Sequence, residues 1–102
     1  MKYRLVLQLP SSSIKDYNEV IRFESLIVEG IGELGEVDGH DAGSGEFNIF
    51  VLTDDPVLTF DRIKTLPGAV DFMPNLKVAF RELEKDEYVI IYPSRLSNFT
   101  LA

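Results

Sequence analysis

The sequence contains no cysteine, which excludes disulfide bonds, thiolate nucleophiles and cysteine-ligated metal sites. Histidine is nearly absent as well, because His40 is the only one among 102 residues. No apolar run approaches the ~20 residues that a membrane-spanning helix requires. The first residues alternate between apolar and polar types, and so lack the apolar core of a signal peptide. We therefore expect a cytoplasmic protein without a membrane partner.

Lysine and arginine are also scarce, since ten of them stand against seventeen aspartates and glutamates, giving a formal net charge of -7. These cations are scattered and form no cluster that could follow a phosphate backbone or an anionic lipid surface. Nucleic acid is therefore not expected as a partner. A basic protein partner is compatible with the charge, because opposite charges steer two proteins toward each other. The acidity could instead serve solubility alone.

What the chain does have is a regular succession of strand and helix patterns. The predicted elements are a strand at 2–9, a helix at 14–29 with Ser13 as its N-cap, strands at 33–38 and 46–53, a helix that opens at Asp54-Asp55-Pro56 and ends at Leu66-Pro67-Gly68, and strands at 77–83 and 88–92. Residues 69–75 are predicted as a loop and residues 84–87 as a charged turn. No helix or strand is predicted for the tail at 93–102.

This order predicts an α+β protein with a ferredoxin-like βαββαβ sandwich and an extra C-terminal hairpin strand. Residues 1–102 would form a single domain. The sheet would be antiparallel overall, with its first and third strands central and parallel to each other. Both helices would cover one face, because the alternation at 2–9 is typical of a sheet that buries one side only.

The hairpin loop at 38–46 concentrates polar chemistry. It holds one histidine, three carboxylates and three glycines: His40, Asp38, Asp41, Glu46, Gly39, Gly43 and Gly45. The simplest interpretation is a hairpin whose aspartates bond to nearby backbone N–H groups. His40 with these carboxylates could also act as a catalytic base or bind a transition metal. Ser44, four residues away, has the hydroxyl of a possible nucleophile.

Two further site types do not fit this loop. The spacing from Asp38 fails the calcium-loop pattern, because position twelve is Ile49 instead of glutamate. A phosphate cradle requires a glycine-rich turn that leads into a helix, whereas this one leads into a strand. The loop therefore fits neither a calcium site nor a phosphate-binding cofactor, and the preferred interpretation of the sequence includes no cofactor and no metal.

Glu24 is an unexpected residue on the first helix. At about 100° per residue, it falls in the middle of the apolar face made by Tyr17, Val20, Ile21, Ile27 and Val28, with Phe23 at its edge. A buried carboxylate requires a partner, because its desolvation costs several kcal/mol. Either the helix rolls so that Glu24 reaches solvent, or Glu24 is neutralised, or it pairs with a donor such as His40. The third case would join Glu24 and the hairpin in one polar cluster.

The open face of the predicted sheet is the remaining candidate surface. Arg4 and Gln8 would lie there beside Glu46, Asn48 and Phe50. A surface that combines charges with an exposed aromatic residue usually packs against another protein surface or another part of the chain. A second copy, a different protein, or the tail at 98–101 folding back could cover it.

The stretch Val37-Asp38-Gly39-His40-Asp41-Ala42-Gly43-Ser44-Gly45-Glu46-Phe47-Asn48-Ile49-Phe50, followed by Thr53-Asp54-Asp55-Pro56, resembles a motif of small bacterial proteins. The resemblance is in keeping with the ferredoxin-like fold and implies no activity. It favours a role for the hairpin loop beyond that of a spacer.

These observations lead to two functional hypotheses. The first is a small acidic, non-enzymatic module that binds a protein partner or itself through the open sheet face and the hairpin loop. Its binding residues would be Arg4, Asp38, His40, Asp41, Ser44, Glu46, Asn48 and Phe50. An immunity-type protein that neutralises a basic toxin is one concrete form.

The alternative is a small enzyme or a ligand- or metal-binding domain centred on His40. Its candidate catalytic residues are His40, Asp38, Asp41, Glu46 and Glu24. This hypothesis predicts a concave pocket beside the hairpin.

Overall fold

A computed structural model describes residues 1–96 and 98–101. Its helices and strands are β1 (Tyr3–Pro10), α1 (Tyr17–Gly30), β2 (Gly35–Gly43), β3 (Glu46–Thr53), α2 (Pro56–Lys64), β4 (Lys77–Glu82) and β5 (Val89–Tyr92). Short 3-10 segments at Ser11–Ser13, Gly32–Leu34, Ala69–Asp71 and Met73–Asn75 connect them. The α+β class predicted from the sequence is confirmed.

The five strands form one antiparallel sheet in the order β2-β3-β1-β4-β5. The prediction that β1 and β3 run parallel is wrong, because Leu5 faces Val51 and Leu7 faces Ile49 in an antiparallel register. Since β3 lies between β1 and β2 and is antiparallel to both, β1 and β2 point the same way. The helix α1 is the connection between these two strands. The extra strand β5 pairs with β4, as the hairpin pattern predicts.

One face of the sheet carries Leu5, Leu7 and Leu9, and we call it the helix-covered face. These leucines pack with residues of both helices, among them Phe23 of α1 and Ile63 of α2. The alternating side chains of β1, including Arg4, Val6 and Gln8, point to the opposite side, which we call the reverse face. Burial of the leucine side chains is the main stabilising contribution of this layer.

The helix α1 begins three residues later than predicted, at Tyr17 instead of Ile14. Ser11–Ser13 forms a 3-10 turn in which the Ser13 hydroxyl donates to the Pro10 carbonyl at 2.7 Å. Ile14 is extended, and Asp16 is the N-cap residue. The serines favour this local turn because their hydroxyls compete for backbone groups. By contrast, α2 begins as predicted, since the Leu58 N–H donates to the Asp55 carboxylate at 3.1 Å.

A substitution at Gly35, the first residue of β2, reports on how closely β2 packs against β3. An added Cβ would lie 2.7 Å from the Leu52 carbonyl oxygen, a backbone atom that cannot move without displacing β3. We expect Gly35→Ala to lower the free energy of unfolding by about 1–2 kcal/mol, as other overpacked substitutions do. Gly43→Ala is the matched control in the same strand, because nothing lies within 4 Å of its Cβ position. Equal urea midpoints for the two variants would contradict this account of the packing.

Candidate functional site

The strand β2 continues through the segment predicted as a loop. The structure extends it to Gly43 and leaves only Ser44 and Gly45 as the turn. Both turn residues have positive φ, 53° and 82°, which is the backbone of a two-residue hairpin turn. The Ser11 N–H donates to the Gly45 carbonyl at 2.8 Å and fixes the turn to the end of β1.

A bulge in β2 determines which way His40 faces. Val37 lies opposite Val51 and His40 lies opposite Ile49, so both Asp38 and Gly39 face a single residue of β3. Gly39 has φ 104°, a conformation that other residues rarely adopt. Without this extra residue, strict alternation would place Val37 and His40 on opposite faces. The bulge therefore puts His40 on the helix-covered face, beside α1.

His40 connects two residues of α1. Its Nδ1 lies 2.9 Å from a carboxylate oxygen of Glu24, and its Nε2 contacts the Tyr17 hydroxyl. The Glu24 and His40 side chains are 17% and 24% exposed, whereas Tyr17 is 50% exposed. The pairing of Glu24 with His40 that the sequence suggested is thus present. These three side chains form a chain of contacts that runs from the edge of the core to the surface.

The roles of the two ring nitrogens follow from their partners. An ionised carboxylate only accepts hydrogen bonds, so when Glu24 is ionised Nδ1 is the nitrogen that donates to it. In the neutral ring, Nε2 then accepts a hydrogen bond from the Tyr17 hydroxyl. The Tyr17 ring also packs against His40 with a centroid distance of 5.5 Å and against Phe47 with one of 6.3 Å. The acceptor nitrogen of His40 is therefore directed at a hydroxyl that solvent can reach.

The predicted apolar face of α1 is rotated in the structure. The helix buries Val20, Phe23 and Ile27, and it leaves Tyr17, Ile21 and Val28 at least one-third exposed. Phe23 stacks on Phe72 with ring centroids 4.3 Å apart, a contact that fixes the inward side of the helix. Glu24 therefore lies at the rim of the core, where it both reaches solvent and pairs with His40.

Asp38 takes part in a separate interaction on the reverse face. Its carboxylate accepts from the Arg4 guanidinium at 3.0 Å, and both side chains are partly exposed. The same guanidinium lies 4.8 Å from the centroid of the Phe50 ring. Arg4, Asp38 and Phe50 thus come together as a cation held between a carboxylate and an aromatic face. Asp38 is directed at Arg4 instead of His40.

Asp41 and Asn48 belong to a second row on the reverse face. The Gln8 amide donates to Asn48 at 3.0 Å, and the Asn48 amide donates to Asp41 at 2.9 Å. Gln8 and Asn48 are each only 2% exposed, so both amides require these bonds. Gln8 also donates to the Thr100 carbonyl at 3.1 Å. This row joins three strands and the C-terminal tail.

The remaining predicted residues do not gather around His40. Glu46 lies opposite Pro10 and Gly43, and alternation along β3 places it on the reverse face with Asn48. One of its carboxylate oxygens is buried and has no hydrogen-bond partner in the part of the chain that the structure describes. Ser44 is exposed in the turn. Within residues 1–96 and 98–101, no three histidine or carboxylate side chains are grouped so that they could hold a metal ion.

The reverse face is covered along its β1–β4 half. Val6 and Ala79 are fully buried there, although both point away from the helices. Two contacts bring the tail to this region, the bond between Gln8 and Thr100 and the packing of Tyr88 on Phe99 with a centroid distance of 5.2 Å. Ser97 and Ala102 lie outside the described residues, and the contacts of the tail come from residues 93–96 and 98–101. Phe50 and Leu52, on β3, are less buried than Val6.

Two clefts lie away from the hairpin. One, of about 290 Å³, is lined by Leu9, Ser13, Ile14, Lys15, Glu19, Arg22, Asp71, Phe72 and Asn75. Its cations face carboxylates, as in the contact of 3.7 Å between Arg22 and Asp71. The other, of about 380 Å³, is lined by Met1, Lys2, Glu82, Leu83 and Glu84. Neither contains a hairpin residue, so neither corresponds to the pocket that the enzyme hypothesis predicts.

The distribution of charge along the chain is a signal that the sequence reasoning missed. No lysine or arginine occurs between Arg22 and Arg62, whereas ten carboxylates do: Glu24, Glu29, Glu33, Glu36, Asp38, Asp41, Glu46, Asp54, Asp55 and Asp61. This segment forms most of α1, the whole β2–β3 hairpin and the start of α2. The lysines and arginines are thus scattered only outside residues 23–61, and this segment carries acidic charge alone.

A scan against protein-family models finds no match, and searches of the curated proteins and of the solved structures find none either. The resemblance of residues 37–50 to a bacterial motif stays a prediction. No helix in the described part of the chain has the length and apolar character needed to span a bilayer.

Proposed function

We propose that this chain is a non-enzymatic binding module that recognises a basic protein partner through its β2–β3 hairpin. One observation carries the proposal: ten carboxylates and no lysine or arginine occupy the segment 23–61, which contains the hairpin at the edge of the sheet. An acidic surface raises the encounter rate with a basic partner and disfavours acidic ones. An immunity-type protein that neutralises a basic toxin is one concrete form of this function.

The edge strand β2 supplies the second support. It pairs only with β3 in the described sheet, so its outer side presents a row of backbone N–H and C=O groups. Glu36 and Asp41 are exposed along this strand, and Glu33 is exposed just before it. The partner would meet these carboxylates together with the pair of Asp38 and Arg4. An extended segment of the partner could then add to the sheet as a further strand.

The hairpin is favoured over the whole reverse face as the binding surface. The tail reaches the β1–β4 half of that face, where Val6 and Ala79 are fully buried. Phe50 remains partly exposed on the β3 side, but it lies beneath Arg4 and so contributes to the fold as well. The exposed carboxylates of the hairpin are therefore the better positions for testing the proposal.

A heterologous partner is favoured over a second copy of the chain. Pairing of β2 with another β2 would bring Glu36 and Asp41 of both copies to the same edge. Like charges that face each other across strands destabilise the pair. The net charge of -7 adds a repulsion between the two copies as a whole.

The ferredoxin-like assignment is part of the same proposal. It is supported by the order β2-β3-β1-β4, in which each helix connects two strands that are separated by a third. The strand β5 extends this arrangement at the edge away from the hairpin. In ferredoxin-like sheets with one helix-covered face, edge strands are accessible for pairing with other chains.

Paired charge-reversal variants test the binding surface. We expect Glu33→Lys with Glu36→Lys to weaken binding to lysozyme, a defined basic protein, by about tenfold at low ionic strength. The matched control is Glu84→Lys with Glu87→Lys, which changes the net charge equally, in the turn between β4 and β5. Affinities would be measured by titration calorimetry at two salt concentrations, and contacts would be mapped by amide shifts in NMR spectra. Equal weakening by both pairs, or no binding by the parent chain, would refute the proposal.

A second candidate function is chemistry at His40. One observation favours it, the contact chain from Glu24 through His40 to the Tyr17 hydroxyl. This arrangement has the parts of an activated nucleophile, which are a hydroxyl, a base and a group that orients the base. The hairpin carboxylates Asp38, Asp41 and Glu46 take no part in it.

A further inference from the structure

We propose that Tyr17 is an acyl-acceptor residue, with His40 as its general base and Glu24 as the residue that positions His40. The inference does not depend on the proposed binding function, because it involves different atoms and the other face of the sheet. It rests on the hydrogen bond of 2.9 Å between His40 and Glu24 and on the contact of His40 Nε2 with the Tyr17 hydroxyl.

The exposures of the three groups match these roles. Glu24 and His40 are mostly shielded, at 17% and 24% exposure, which strengthens the hydrogen bond between them. Tyr17 is half exposed, so a reagent from solution can reach its oxygen. A purely structural tyrosine at this position would require neither an oriented base nor an accessible hydroxyl. The orienting group Glu24, the base His40 and the nucleophile Tyr17 therefore follow one another in the order that nucleophilic catalysis requires.

Two separate features of the chain produce this geometry. Tyr17 and Glu24 are seven residues apart on α1, so they lie nearly in line along one side of the helix. The bulge at Asp38 and Gly39 turns His40 toward that side. His40 thus reaches both helix residues from the neighbouring strand. Packing against Phe47 further restrains the Tyr17 ring.

The proposed reaction is transfer of an acyl group from an ester to the phenol oxygen. His40 Nε2 takes the hydroxyl proton while the Tyr17 oxygen forms a bond with the ester carbonyl carbon. The tetrahedral intermediate collapses, and the bond from that carbon to the leaving oxygen breaks. The leaving group departs with the electron pair of that bond, and His40 returns the proton to it or to water. The products are O-acyl tyrosine and the released alcohol, with no change of oxidation state.

The surroundings of Tyr17 define the class of donor. Glu24 contacts His40 directly, and the segment 23–61 that contains both residues has ten carboxylates and no lysine or arginine, so neutral acyl esters are favoured over anionic phosphoryl donors. Neither of the two clefts described above lies at Tyr17. We expect a single covalent modification per chain instead of repeated turnover.

The test uses p-nitrophenyl acetate as the acyl donor and the intact chain. Acetylated peptides would be identified by mass spectrometry, and hydroxylamine would separate O-acetyl tyrosine from the stable N-acetyl lysines. We expect Tyr17 to react about 100-fold faster than Tyr88, which is half-buried against Phe99. Tyr17→Phe should abolish this label while preserving the ring contacts. p-Nitrophenyl phosphate should leave Tyr17 unmodified.

Variants of His40 separate base catalysis from simple exposure of Tyr17. We expect His40→Asn to slow Tyr17 acetylation about 100-fold, since general bases contribute about that much, while Tyr88 is unaffected. In His40→Ala, added imidazole should restore the rate, and amide spectra should show that the fold is retained. Equal Tyr17 rates in the parent and His40→Asn chains, or a His40→Ala rate that imidazole leaves unchanged, would overturn the proposal.

Glu24 requires a readout that a merely structural role would not change. In the parent chain, the ¹⁵N shifts of His40 should report a proton on Nδ1, because Glu24 accepts from that atom. Glu24→Gln should shift the tautomer population toward Nε2–H and lower the Tyr17 rate, while the amide spectrum keeps its native dispersion. An unchanged tautomer together with an unchanged rate would show that Glu24 does not position His40.

Discussion

Phe23→Ala is expected to remove a large part of the stability of the domain, about 3–5 kcal/mol of the free energy of unfolding. Phe23 is completely buried and stacks on Phe72 with ring centroids 4.3 Å apart. Its loss leaves a cavity between α1 and the segment before β4, in addition to the lost transfer free energy. Domains of this kind have only about 5–15 kcal/mol in total, so the variant would be partly unfolded in mild urea.

The control for this variant lies on the same helix. Ile21 is 36% exposed, although simple periodicity places it on the buried face with Val20. Ile21→Ala is therefore expected to cost less than about 1 kcal/mol, in the range of surface substitutions. Urea titrations followed by circular dichroism would give both values. If Ile21→Ala proved as damaging as Phe23→Ala, the observed orientation of α1 would be incorrect.

A chain that ends at Leu96 is expected to lose about 2–4 kcal/mol of stability and to expose the reverse face. This truncation removes Phe99 from Tyr88 and leaves the buried Gln8 amide without the Thr100 carbonyl. Val6 and Ala79 would become accessible as a result. We expect stronger binding of a hydrophobic dye and a larger mass in sedimentation, because an uncovered apolar sheet face tends to associate.

A milder variant separates covering by the tail from its effect on folding. Phe99→Ala retains the chain and the Thr100 backbone while it removes the ring beside Tyr88. We expect it to lie between the parent and the truncated chain in both stability and dye binding. If the truncated chain remained monomeric, bound no dye and unfolded at the parent's urea concentration, the tail would not cover this face.

The two proposed sites use different faces of one hairpin. The residues of β2 that contact Arg4 and Asn48 are Asp38 and Asp41, and both contacts lie on the reverse face. His40, between them in sequence, points the other way toward α1. The bulge therefore lets one short strand contribute to both proposed sites, the acidic edge on one side and the contact with Tyr17 on the other. Variants in one site should leave the other unaffected, so failure of either proposal can be recognised separately.

The sequence predicts several local features correctly. Alternation in β1 predicts which of its residues face the core, and Asp55 followed by Pro56 predicts the start of α2. It also gives pairing with His40 as one of three outcomes for Glu24, beside rotation toward solvent and neutralisation, and the structure shows the pairing together with partial exposure. These inferences depend on neighbours within a few residues or on the cost of a single buried charge, and a linear pattern contains that information.

Three decisions depend on the tertiary structure. The direction of His40 depends on a bulge that no residue type specifies uniquely, since Gly39 could equally belong to a turn. The rotation of α1 about its own axis depends on the packing of Phe23 against Phe72, which is far away in sequence. The position of the tail on the reverse face depends on a contact between opposite ends of the chain, the bond between Gln8 and Thr100. In each case, competing local arrangements have similar energies, and contacts between distant segments select one of them. The sequence alone therefore determined the elements and the polar residues of this protein, whereas long-range packing decided which of those residues meet.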